Sequence, residues 1–243
     1  MTRLTDRSSS EQLDDLRIEY IFNFPDGERK VFQLNLEDGF NLREDAHEKP
    51  PNWTELGFHQ CPHCPLSTKK ESHCPLAVSL VELIESSVNL RSYEKVEVEI
   101  RAKDRQISFH TSIQKGLSSL MGLIIPTSGC PHTSYFKPMA RFHLPHANVE
   151  ETIYRATSMY LLSQYIRKLE GLDASFDLQG LRDIYQNVHV VNTFISRRLR
   201  SITNEDASVN AVIILDMFSQ LLPMSIEQAL EELKPLFHAY LNR

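Results

Sequence analysis

The stretch Arg17-Ile18-Glu19-Tyr20-Ile21-Phe22-Asn23-Phe24-Pro25-Asp26-Gly27-Glu28-Arg29-Lys30-Val31-Phe32-Gln33-Leu34-Asn35-Leu36 decides the fold class. Ile18, Tyr20 and Phe22 share one face of an extended segment, and Phe32, Leu34 and Leu36 share another after the turn Pro25-Asp26-Gly27. Side chains of a strand alternate between faces, so apolar residues at every second position give one buried side. Two such runs across Pro-Asp-Gly predict a β-hairpin. The pattern returns downstream: Val96, Val98 and Ile100 alternate, Lys103-Asp104 turns the chain, and Ile107, Phe109, Thr111 and Ile113 alternate again. Two hairpins predict one four-stranded antiparallel sheet.

Outward from the hairpins the periodicity changes. Residues 1–16 are polar and read as a disordered tail. Residues 38–60 are irregular around Pro50-Pro51, and Leu76, Leu80, Leu83, Ile84 and Val88 recur at helical spacing. Beyond Gly116 the signals are helical throughout. A short helix is expected over Leu117 to Ile125. Asn148 with Glu151 marks the start of another, running to about Lys168, and a third covers about 178–202. Asn204 is expected to cap a helix that Pro223 ends, and Ser225 with Gln228 to open the last one. Strands early and helices late, without βαβ alternation, give an α+β fold. The expected organisation is a β region over 17–115 carrying a cysteine-rich loop and one helix, a helical region over 116–243, and one compact domain. Apolar positions of the last helices, among them Val212, Leu215, Phe218, Leu222, Ile226 and Leu230, read as core, with a remainder that offers a homodimer face.

The bulk properties exclude some partners. Of the 243 residues 24% are charged, both signs are intermixed and the net charge is −6, which argues against a nucleic-acid partner. No unbroken apolar run reaches the roughly 18 residues that span a bilayer. Leu117 to Pro126 comes nearest and is interrupted by Ser118, Ser119 and Gly122. The N-terminus lacks a secretory signal's apolar core. A cytoplasmic protein without a membrane partner is the expectation. In that compartment thiols stay reduced, so cysteines read as metal ligands or redox groups before they read as disulfides.

The chain has four cysteines, Cys61, Cys64, Cys74 and Cys130, and proline follows every one: Pro62, Pro65, Pro75 and Pro131. With only 12 prolines in the chain, that leaves little room for coincidence. A C-x2-C turn aims two sulfurs at one point, as at zinc and iron–sulfur sites. Proline fixes φ and removes an N–H, which suits rigid loops around a compact centre. The bland alternative is four separate buried thiols, since free cysteine is commonly core. Zinc is slightly favoured over an iron–sulfur cluster. Histidines crowd the same region, and His63, His73, His132, His143 and His146 are candidate additional ligands.

Three other readings were weighed against plain structural ones. Cys61-Pro62-His63-Cys64 resembles the active-site tetrapeptide of thioredoxin-superfamily thiol oxidases, but Pro65 follows directly and no βαβ unit surrounds it. His143-x2-His146 with Glu150 and Glu151 suits a metalloenzyme site, or equally a polar loop entering a helix with an acidic first turn. Arg197-Arg198 with Arg200 reads as a solvated helix end whose cations favour the dipole. No G-x-S-x-G elbow and no phosphate-binding glycine loop is present.

The cysteine loops also carry a likeness. Trp53-Thr54-Glu55-Leu56, His59-Gln60-Cys61-Pro62-His63-Cys64-Pro65-Leu66, His73-Cys74-Pro75, Ser128-Gly129-Cys130-Pro131-His132 and Pro138-Met139-Ala140-Arg141-Phe142-His143-Leu144-Pro145 resemble a family of uncharacterised bacterial proteins, a domain of unknown function. The resemblance covers most of the chain beyond the tail and implies no activity. The functional expectation therefore rests on the residues. It is a cytosolic metal-binding protein with a four-cysteine centre, acting as a binding or regulatory module. The alternatives are an iron–sulfur redox protein, a metalloenzyme using His143 and His146, and a dithiol oxidoreductase through Cys61 and Cys64.

Overall fold

The computed structural model describes residues 17–37, 39–42, 49–202 and 206–242. The expected tail over 1–16 and the expected cap at Asn204 lie outside them. The two hairpins form as their alternation dictates: β1 (Arg17–Asn23) with β2 (Arg29–Glu37), and β4 (Lys95–Ala102) with β5 (Arg105–Ser112). Gly27 adopts φ +91° at the first turn, a conformation that costs a residue without Cβ least. β1 pairs antiparallel with β4 and joins the hairpins into one sheet. A two-residue strand, β3 (Asn41–Leu42), adds to the other side of β2, so the sheet has five strands in the order β3-β2-β1-β4-β5. Two residues are too few to show a period, which is why alternation pointed to four strands.

One face of the sheet buries Tyr20, Phe22, Phe32, Leu34, Val96 and Val98. The helix laid against it is α3 (Ile113–Thr127), which follows β5 directly and brings Leu117, Leu120, Met121 and Ile124 to the same core. Ile113, expected to end a strand, instead begins this helix. Gly116 sets how closely helix and sheet approach: a Cβ there would stand 2.8 Å from Phe22 Cε1 and 3.0 Å from Val98 Cγ2. Two short helices, α1 (Pro75–Ser79) and α2 (Val81–Ser86), close the sheet's flank with Leu76, Leu80 and Leu83.

After a short helix, α4 (Lys137–Arg141), three long helices complete the fold: α5 (Val149–Leu169), α6 (Gln179–Arg200) and α7 (Ala207–Leu233). Asn148 and Glu151 form the reciprocal capping box that opens α5. α7 packs against α3, α5 and α6. It runs straight through Pro223, where the sequence pointed to a break and a new start at Ser225. A proline inside a helix loses one backbone bond. Leu222, Ile226, Ala229 and Leu233, at helical spacing on both sides of it, are buried and hold the helix continuous. A last short helix, α8 (His238–Leu241), follows a 3₁₀ turn.

By length and composition the stretch Ala207–Leu241 is apolar enough to cross a membrane, with 33% of its most apolar window buried. Counting unbroken apolar runs passes over it because Ser208, Asn210, Asp216 and Ser219 interrupt it. A core helix meets the same criterion. Met224, Leu236 and Tyr240 stand exposed at its far end.

Candidate functional site

The cysteines sit on three loops that touch. The first lies between two short backbone ladders. Leu56 N–H donates to Ser72 O at 2.9 Å, Cys74 N–H donates to Thr54 O at 2.7 Å, and Glu55 bridges His73. These pairings close residues 57–71 into one loop at whose neck Cys74 stands. Within it Cys64 N–H donates to Cys61 O at 3.0 Å, the tight turn that C-x2-C spacing favours.

Cys74 then stands at the start of α1. Its sulfur is approached by the N–H groups of Leu76 and Ala77. Cys130 repeats the arrangement, approached by the N–H groups of His132 and Thr133 and by the Thr133 hydroxyl. The two steps are alike for a covalent reason. Proline has no N–H, so in Cys-Pro-x-x the first amides free to turn back on the sulfur belong to the second and third residues after the cysteine.

The Cys130 loop meets both others. Gly129, at φ +83°, lies so near α1 that a Cβ on it would stand 3.7 Å from Pro75 Cβ. His132 Nε2–H donates to His63 O at 2.9 Å, and the two imidazoles stack with centroids 3.9 Å apart and planes 7° from parallel. His63 in turn donates from Nε2 to Asn187 O at 3.1 Å in α6, leaving its buried Nδ1 without a hydrogen-bond partner among the described residues.

One buried cation organises this junction. Arg198, on α6 and only 2% exposed, donates from Nη1 to Trp53 O at 2.7 Å and Glu55 O at 2.8 Å, and from Nη2 to Leu56 O at 3.2 Å. Its charge bears on Cys74, Cys61 and Cys64. The expectation of a solvated basic cluster fails at this residue. Arg198 falls seven residues after Val191 and three after Ile195, on the buried stripe of α6, whereas Arg197 and Arg200 face outward. That phase was the available signal.

The thiols feel one another. Burial pushes Cys61 up to about 12, with Cys74, Cys130 and Cys64 adding to the rise and Arg198 opposing it. Burial also raises Cys74 and Cys130. All four cysteines are free thiols. The shift at Cys61 runs opposite to what a dithiol oxidant needs in its attacking thiol. Among the described residues no three Cys, His, Asp or Glu side chains stand together as a ready ligand cage.

The remaining candidate histidines go to separate partners. His73 Nδ1 hydrogen-bonds with Ser72 Oγ at 2.8 Å. His143 pairs through Nε2 with the hydroxyl of fully buried Tyr20, which also meets Ser119 Oγ at 3.1 Å. Burial, and then the charge of Arg155, lower the His143 pKa to about 3. His146, at φ +58°, stacks on Phe109 with centroids 5.2 Å apart. Glu151 is engaged in the α5 capping box.

The chain belongs to the family described as a domain of unknown function (DUF6901), whose model matches residues 18–238. Searches of curated proteins and of solved structures give no match.

Proposed function

We propose that this chain is a cytoplasmic metal-binding protein whose centre is formed by Cys61, Cys64, Cys74 and Cys130, with zinc favoured over an iron–sulfur cluster. The observation that carries the reading is that the Cys61–Cys64 loop, with Cys74 at its neck and a buried guanidinium beside it, meets the remote Cys130 loop. Four thiolates on Zn²⁺ leave a net charge of −2, and burying such charge is costly unless it is compensated. Arg198 and the N–H groups aimed at Cys74 and Cys130 supply that compensation. Binding would draw neighbouring thiols onto the ion, displacing their protons, rather than fill a finished cage.

With four sulfurs on the ion the zinc tetrahedron is complete and no position is open to substrate. The centre would then act structurally, fastening the 53–74 loop to the end of α3, in a binding or regulatory module. The metalloenzyme alternative has less support, because His143 turns to Tyr20 and His146 to Phe109.

The test is metal analysis with an absorption spectrum of protein purified without oxygen. About one equivalent of zinc and no visible absorption is the expected result. A brown protein with visible bands would replace zinc by the iron–sulfur reading. Cys130→Ser should lower metal content and melting temperature together. A Cys130→Ser variant that keeps its full metal content removes the proposal.

A further inference from the structure

A cavity of about 460 Å³ lies on the other side of α3 from the sheet. Four long helices supply most of its walls, and Phe136, Met139 and the loop over 143–148 complete them. α3 contributes Ser118, Gly122 and Ile125, α6 contributes Tyr185, Val188 and Asn192, and α7 contributes Leu215, Phe218 and Leu222. α5 adds Arg155. The volume falls in the range of small-molecule sites, and the lining is mainly apolar.

Of its polar groups, Ser119, His143, Asn148, Thr152 and Ser219 are engaged with neighbouring groups, whereas three others keep capacity for a ligand. Asn192 is 2% exposed and Tyr185 5%, yet neither the Asn192 amide nor the Tyr185 hydroxyl has a hydrogen-bond partner among the described residues. Neither polar group is fully sealed inside the protein, so both open onto the cavity, where a ligand can meet them from one helix face. Arg155 donates from Nη2 to Met139 O at 2.8 Å and to Phe142 O at 2.9 Å. Its remaining N–H groups have no partner and the guanidinium no ion pair among the described residues. Glu151 is near enough to bear on that charge, but its carboxylate is held by the backbone N–H of Asn148. The charge of Arg155 also bears on the Tyr185 hydroxyl, so the cation and the phenol are neighbours.

We propose that this cavity binds a small amphipathic carboxylic acid, with the carboxylate at Arg155 and Tyr185 and the apolar body among Ile125, Phe136, Met139, Leu215, Phe218 and Leu222. One guanidinium beside one phenol suits a single negative charge, and the mainly apolar remainder suits an aliphatic body. A neutral or cationic apolar ligand would leave the guanidinium unpaired. The site is independent of the cysteine centre.

The probe is octanoate, titrated into the full-length protein by calorimetry, with octanol and octylamine as uncharged and cationic controls. Saturable one-to-one binding of octanoate, and at least tenfold weaker binding of both controls, is expected. Tyr185→Phe keeps the ring packed on Phe136 and should weaken octanoate about tenfold. Gly122→Leu should abolish binding without unfolding the chain, because a Cβ there meets only Leu215 Cδ2, at 3.9 Å, and the longer side chain occupies the cavity. Circular dichroism melts confirm that both variants are folded. Octylamine or octanol binding as well as octanoate, Gly122→Leu leaving octanoate binding unchanged, or no binding at millimolar octanoate would each overturn the proposal.

Discussion

The cysteine loops and the helical cavity both lean on α6 and are held together by opposite means. The loops have almost no regular structure. A few backbone bonds and one buried guanidinium keep them in place. The cavity is walled mainly by helices whose backbone bonds lie largely within themselves, with the loop over 143–148 completing the lining. A region of the first kind depends on single side chains. A region of the second kind tolerates change at its lining, and so can be given over to recognition.

That contrast ranks the substitutions. Arg198→Met should have the largest effect, about 3–5 kcal/mol, because it strips the carbonyls of Trp53, Glu55 and Leu56 of their donor in a buried setting. Urea unfolding measures it, with Arg197→Met as the exposed control. Equal losses from the two would break the claim that the loops hang on one cation.

A smaller effect is expected from pH at the cavity wall. His143 has its folded-state pKa lowered to about 3, below the ordinary value of 6.5. Above pH 6.5 neither the folded nor the unfolded state carries the proton, and the site costs nothing. As pH falls below 6.5 the unfolded chain takes up a proton that the folded one refuses, so stability is lost. The loss from this group should reach about 1.4 kcal/mol at pH 5.5. His143→Gln, which still offers Tyr20 an acceptor, should flatten the acid limb by that amount in urea titrations at pH 7.5 and 5.5. An unchanged limb would show that His143 titrates normally.

The smallest effect, and one of opposite sign, belongs to Gly122→Ala. With no atom nearer than 3.9 Å, the added methyl should stabilise α3 by about 0.5–1 kcal/mol through helix propensity. Gly116→Ala on the same helix should destabilise, since its Cβ would press on Phe22 and Val98. Thermal melts of the pair sharpen the comparison, because one glycine faces space and the other the sheet.

The sheet was legible in the sequence because alternation at Tyr20, Phe22, Phe32 and Leu34 reflects a single buried face. The continuous α7 was not. Pro223 is a local signal, and burial of Leu222 and Ile226 by other helices overrides it. Spacing and the recurrent Cys-Pro steps marked the cysteine loops, but the role of Arg198 depended on knowing which face of α6 turns inward. The cavity left no mark of its own. Tyr185, Val188 and Asn192 follow the same spacing as any packed helical stripe, and only the space they face sets the stripe apart.

α6 carries Tyr185 and Asn192 at the cavity and Arg198 at the cysteine loops, all on one unbroken rod. From Asn192 to Arg198 is six residues, about 9 Å along the axis. An unbroken helix holds the two groups at a fixed separation. The two sites, which look unrelated along the chain, therefore share a mechanical member, and metal content belongs among the measurements made on every cavity variant.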